Sequence, residues 1–117
     1  MRIISALLIT IISFTTQAQN LRSGGKLKPE QANMDIRHYT LVLDVDPEQK
    51  AINGHTEIDL NLLKPSNNLL FDLWHGLTIS KVWVNGKAVD FKHTEDDLVK
   101  IALQQEQPAG KVKVKIA

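Results

Sequence analysis

Beyond residue 33, apolar and polar positions alternate along most of the chain. Between residues 36 and 45, Tyr39, Leu41, Leu43 and Val45 fall on one side and His38, Thr40, Val42 and Asp44 on the other. A period of two predicts a strand with one buried face. Residues 46–50 read as a turn, because Pro47 presets its backbone dihedral and Asp46 can bond to the backbone just after it. A second strand over 52–62 sets Ile52, Thr56, Ile58, Leu60 and Leu62 inward and His55, Glu57, Asp59 and Asn61 outward, so the pair reads as a hairpin. After a loop at 64–68, further strands are expected at 69–73, 77–84, 88–92, 98–103 and 111–116. The Asn85-Gly86 pair between two of them suits a type I′ turn, and a polar loop containing Pro108 is expected at 104–110. No stretch carries a helical period. The expectation is an all-β domain, an antiparallel β-sandwich or saddle-like sheet.

The chain opens differently. Residues 1–18 carry one positive charge at Arg2, an apolar run over 3–14 and small residues at Thr16 and Ala18, which together read as a secretory signal peptide. The apolar run is shorter than the roughly 20 residues a spanning helix needs, so no stable membrane anchor is expected. Export to the periplasm or the extracellular space is. Residues 19–33, with Gly24-Gly25 and Pro29 among polar residues, have linker composition. That leaves 34–117 as one folded β domain.

Charge and composition narrow the function classes. With 14 Lys+Arg against 13 Asp+Glu, the net charge is +1, which gives no electrostatic footprint for nucleic acid. The chain has no cysteine; disulfide frameworks, zinc ribbons and thiol nucleophiles are excluded.

Candidate chemistry is sparse. None of the four histidines, His38, His55, His75 and His93, stands four residues from another, as two zinc ligands on one helix would. His38 and His55 share the outer face of the first hairpin but otherwise read as solvated. Asp44, Asp46 and Glu48 open like a calcium loop, yet Gln49 and His55 occupy the positions that need Gly and Glu. Glu95-Asp96-Asp97 reads as an acidic turn. Ser23, Ser66 and Ser80 lie in no nucleophile elbow, no carboxylate pair is singled out, and Trp74 and Trp83 read as core or rim packing. No catalytic, cofactor-binding or metal-binding residue is assigned, and an independent hydrolase is disfavoured.

Taken in order, residues 34–47 (MDIRHYTLVLDVDP), 52–58 (INGHTEI), 69–73 and 79–87 (ISKVWVNGK) resemble the start of the amino-terminal domain of the aminopeptidase N family of zinc metallopeptidases. The resemblance covers residues 34–116. It implies a mostly β domain beside a thermolysin-like catalytic domain of the same full-length protein, which would bind zinc and the peptide substrate. The family's His-Glu-x-x-His zinc motif and its Gly-x-Met-Glu-Asn amine-binding motif are absent from this sequence, so no family site residue maps here and no cofactor is expected in this chain. The chain ends at Ala117 in or just after a strand, and the family's domain is longer. We therefore expect an incomplete scaffold domain of an exported aminopeptidase, inactive alone, with apolar surface left uncovered. The alternative from the residues themselves is a self-sufficient secreted β-sandwich binding module.

Overall fold

A computed structural model describes residues 25–117; the expected signal peptide and the first part of the expected linker lie outside the described residues. Among the described residues eight strands and one short helix form in the order α1 (Pro29–Ala32), β1 (Met34–Asp46), β2 (Ala51–Leu62), β3 (Ser66–Asp72), β4 (Val82–Val84), β5 (Lys87–Val89), β6 (Phe91–His93), β7 (Leu98–Gln107) and β8 (Gly110–Ile116). The first sheet has strand order β1-β2-β8-β4-β5, the second β3-β7-β6, and every pairing is antiparallel. The all-β expectation holds, in its sandwich form.

The core lies between the sheets. Ile58, Leu60, Leu62, Val82, Val84, Val112, Val114 and Ile116 from the first sheet pack against Leu69, Phe71, Val99 and Ile101 from the second. Along β8, Val112, Val114 and Ile116 are buried while Lys111 and Lys113 are exposed, as the alternation requires. Each such side chain contributes about 1.5–3 kcal/mol by leaving water, and the strands carrying most of them define the sandwich.

One irregularity decides what β1 can do. Met34 and Ile36 pack against the core from even positions, whereas the apolar set farther on occupies the odd positions 39, 41, 43 and 45. A register shift between Ile36 and His38 reconciles the two, since Ile36 pairs with Leu60 but His38 with Asp59. Arg37 is thus an extra residue, and the bulge it makes keeps both apolar sets on one face of the sheet.

Several sequence expectations are corrected. Residues 29–32 of the expected linker form one helical turn, begun by Pro29 and too short to show a period; it packs on β3 and β1. Asn33 then holds Lys64 through both its amide atoms, accepting from the Lys64 N–H at 2.8 Å and donating to its carbonyl at 2.9 Å. Residues 66–68, expected in a loop, begin β3. The strand expected over 77–84 shrinks to β4, although Ala117 still exchanges backbone hydrogen bonds with Lys81. The single strand expected over 88–92 is two, because Asp90 interrupts it and the chain crosses from the first sheet to the second. Finally, β7 runs to Gln107 through the residues expected to start a loop. The Asn85-Gly86 turn is as expected, with φ of +50° and +80°.

Candidate functional site

The largest departure from expectation is also the leading site. The far half of the β1–β2 hairpin projects beyond the sandwich, because β8 pairs only with residues 56–62 of β2 and stops there. Tyr39, Leu41, Leu43 and Val45, expected to be buried, are 54%, 66%, 57% and 58% exposed, and Ile52 is 58% exposed. The register pairs Tyr39 with Ile58, Leu41 with Thr56, Leu43 with Gly54 and Val45 with Ile52. Opposed residues in an antiparallel pair share a face, so these side chains form one apolar strip continuous with the core. The alternation was read correctly, but among the described residues no layer covers it.

Gly54 lets the two strands lie that close. Its φ is +154°, and a Cβ there would stand 1.9 Å from the carbonyl oxygen of Val42, so a side chain is excluded by backbone. At the hairpin's tip, Asp46 Oδ1 accepts the N–H groups of Glu48 and Gln49, both at 3.0 Å. Asp46 therefore acts as a turn former, as its sequence context suggested.

Below the strip, between hairpin, β3 and the N-terminal segment, runs an open groove of about 1070 Å³. Leu27, Ile36, Leu41, Phe71 and Ile116 contribute to its apolar lining, and Thr56 to its floor. The Thr56 hydroxyl is buried with no hydrogen-bond partner among the described residues, a costly arrangement unless something else supplies one. Neither the groove nor residues 27–32 as part of its wall was legible in the sequence, since both depend on how the chain entering β1 folds back.

The remaining candidates resolve into structural roles. His38 pairs with Asp59 and His55 with Val42, which separates the two histidines by four positions along β1, about 13 Å. His55 Nε2 lies 3.9 Å from Glu57 Oε1. At the other end of the molecule, His75 Nδ1 lies 2.7 Å from Asp97 Oδ1, which also accepts the His75 N–H at 2.8 Å. His93 Nε2 meets the Leu73 carbonyl at 2.9 Å. These contacts tie the segment after β3 to the β6–β7 turn. Within that turn the Thr94 hydroxyl donates to Asp96, and this bond chiefly holds the Asp96 carboxyl below the usual carboxylate range.

Ser66 is bonded to Asn68, Ser80 donates to the Ala117 carbonyl at 3.0 Å, and Ser23 lies outside the described residues. Trp74 is exposed, edge-on to His75, while Trp83 on β4 has the ammonium groups of Lys81 and Lys115 5.5 and 5.4 Å from its ring centre, a cation–π arrangement. Neither indole belongs to the core between the sheets. Among the described residues no group of three His, Asp or Glu side chains is placed to hold a metal ion, and no helix is long and apolar enough to cross a membrane. The described residues therefore do not fit a zinc site.

Comparison with solved structures places the fold. The chain is similar to the M1 zinc metallopeptidase of Deinococcus radiodurans in a mutant bound to a Tyr-Ser-Ala substrate, with a TM-score of 0.57 and 21% identity over 74% of this chain and 21% of that one. It is similar to yeast LTA4 hydrolase in complex with bestatin, with a TM-score of 0.57 and 22% identity over 73% of this chain and 14% of that one. The chain thus spans about a fifth or less of the length of these structures. No family model matches the sequence, and no curated protein matches it. The resemblance read from residues 34–116 is met by a shared fold with part of M1 zinc metallopeptidases, the aminopeptidase N family.

Proposed function

We propose that this chain is the β scaffold of an exported zinc aminopeptidase, working in the periplasm or outside the cell, whose hairpin seats a catalytic domain that the chain does not contain. That domain binds the zinc and the peptide; this chain contributes no catalytic group. The observation that carries the reading is the apolar strip of Tyr39, Leu41, Leu43, Val45 and Ile52, left exposed although it continues a well-packed core. Its occurrence in a fold shared with zinc metallopeptidases supports a domain–domain contact over a small-ligand site. A contiguous apolar surface of this kind marks an interaction site.

The test is to read the gene and its transcript downstream of the codon for Ala117 while assaying the purified chain for release of N-terminal amino acids, with and without added zinc. The expected result is an in-frame continuation encoding further strands and a His-Glu-x-x-His motif, together with no hydrolysis by the chain alone. A stop codon followed by nothing related overturns the scaffold reading, and robust hydrolysis by the chain alone overturns its non-catalytic role.

A further inference from the structure

The hairpin has a second unpartnered surface, distinct from its apolar face. β1 is the terminal strand of its sheet, and among the described residues no strand pairs with its outer edge. Natural edges are usually blunted by brevity, proline, lysine or a bulge. β1 is 13 residues long, its one bulge lies at Arg37, and residues 38–44 contain neither proline nor lysine. This stretch offers a straight, open row of backbone donors and acceptors.

The charge pattern along the edge selects what pairs with it. At its beginning Arg37 is paired with Asp35 at 3.0 Å and is followed by the imidazole of His38; Tyr39, Thr40, Leu41, Val42 and Leu43 are uncharged, and Asp44 and Asp46 stand at its end. An antiparallel copy of the same strand sets His38 against Asp44 at both extremities, whereas a parallel copy in register sets Asp44 against Asp44. Face parity restricts the register further. The apolar strip occupies odd positions, so only registers that oppose odd to odd keep the apolar faces of both copies on one side of the joined sheet.

Centring the pair on Leu41 satisfies all of this. Leu41 then faces its own copy, Tyr39 faces Leu43, Thr40 faces Val42 and His38 faces Asp44, twice over by symmetry. The Arg37 bulge falls just outside the ladder. The register engages Asp44 and leaves Asp46 free to hold its turn. From the open edge and its charge polarity we infer that two copies of this chain associate through β1, as an antiparallel two-fold pair over residues 38–44 that joins their first sheets into one. Leu41 belongs both to this edge and to the apolar strip of the scaffold reading, whereas His38 and Asp44 lie on the opposite face, so the exchange of those two charges is what separates edge pairing from association through the strip.

Three variants of the purified chain test it, read by sedimentation velocity and by crosslinking. The unaltered chain is expected to show a concentration-dependent doubling of mass. Leu41→Lys, at an exposed position where the monomer tolerates it, sets two ammonium groups against each other at the axis and weakens the dimer by about tenfold or more, with an unchanged circular dichroism spectrum. His38→Glu weakens it by about two- to thirtyfold, and adding Asp44→Lys restores it. Because the chain has no cysteine, Leu41→Cys should crosslink to its own copy under mild oxidation much faster than Thr40→Cys, which faces Val42. A chain that stays monomeric at every concentration overturns the inference. So does association, or polydisperse aggregation, that is indifferent to Leu41→Lys, or equal crosslinking at positions 40 and 41.

Discussion

β2 is one strand in two environments. From Ile58 to Leu62 it lies between β1 and β8, with Ile58, Leu60 and Leu62 2–3% exposed against the second sheet; from Ala51 to His55 it has β1 alone beside it, and Ile52 is 58% exposed. The alternation is the same in both halves. What differs is whether a facing layer exists, so period two specifies which side of a strand is apolar and not whether that side is covered. The packed half belongs to the domain's own stability, and the projecting half is available for association.

Matched truncations in the two halves give the largest expected difference. Leu60→Ala should cost about 2–5 kcal/mol of unfolding free energy, the usual range for a fully buried leucine. Leu41→Ala should change it by no more than about 0.5 kcal/mol at concentrations where the chain is monomeric. Denaturant titration of both variants measures the contrast, and comparable losses would mean that the strip is buried in solution after all.

Gly54→Ala acts on the projecting half alone. The added methyl cannot coexist with the Val42 carbonyl, so the hairpin must part there. We expect a loss of roughly 2–4 kcal/mol in the local opening free energy of the projecting half. Hydrogen exchange should show amides of residues 39–45 losing protection while those of Val99 and Ile101 keep theirs. Uniform loss across both sheets would show the two halves to be one cooperative unit.

Much of the fold was legible because its signals are local. The hairpin from β1 to β2, the Asn85-Gly86 turn and the one-sided burial of β8 follow from alternation and turn chemistry within a few residues. The misses are tertiary. Asp90 lies in a run that reads as one strand, and only the geometry of passing between sheets breaks it. Gln104, Gln105 and Gln107 carry no strand signature; the first two have no register partner in β3 or β6, and Gln107 pairs with Ser66 only beyond an irregularity in the register. Pro29 could have announced a helix start, but a single turn has no period to detect. For the site, the strip itself was visible as Tyr39, Leu41, Leu43 and Val45, whereas its exposure depended on how far β8 reaches, which no local pattern encodes.

The two hairpin turns extend the contrast at smaller scale. Asn85 adopts φ of +50° and accepts the Lys113 N–H at 2.9 Å through its side chain, which links the β4–β5 turn to β8 within the packed region. Replacing it with alanine should cost roughly 1–2 kcal/mol, from the left-handed backbone and the lost bond together. Asp46→Ala at the projecting tip removes two exposed hydrogen bonds that water can replace, and should cost less than about 1 kcal/mol. A reversal of that order in thermal unfolding would place the tip inside the cooperative fold.

The smallest effect lies in the β6–β7 turn, at the packed end of the molecule. Asp96 titrates below the ordinary value of 3.8, first because the Thr94 hydroxyl donates to its carboxylate; desolvation opposes this, and its own backbone N–H and the charges of Lys100 and Lys28 add smaller contributions in the same direction as Thr94. A carboxyl whose folded value is depressed binds its proton more readily in the unfolded chain. Its contribution to stability is therefore present above the unfolded value and is lost as pH falls through the folded one. Thr94→Val removes the main cause, so the Asp96 carboxyl resonance should titrate at higher pH, back toward the ordinary range. The Thr94 hydroxyl also bonds the Leu98 carbonyl at 3.2 Å, but the Thr94 N–H donates to that same carbonyl at 2.9 Å, so the turn should survive the change. Because Asp96 is fully exposed, the shift belongs to this one carboxyl and should leave the projecting hairpin untouched. An Asp96 titration unmoved by Thr94→Val would show that the neighbouring lysines, and not the turn's own hydroxyl, set its charge.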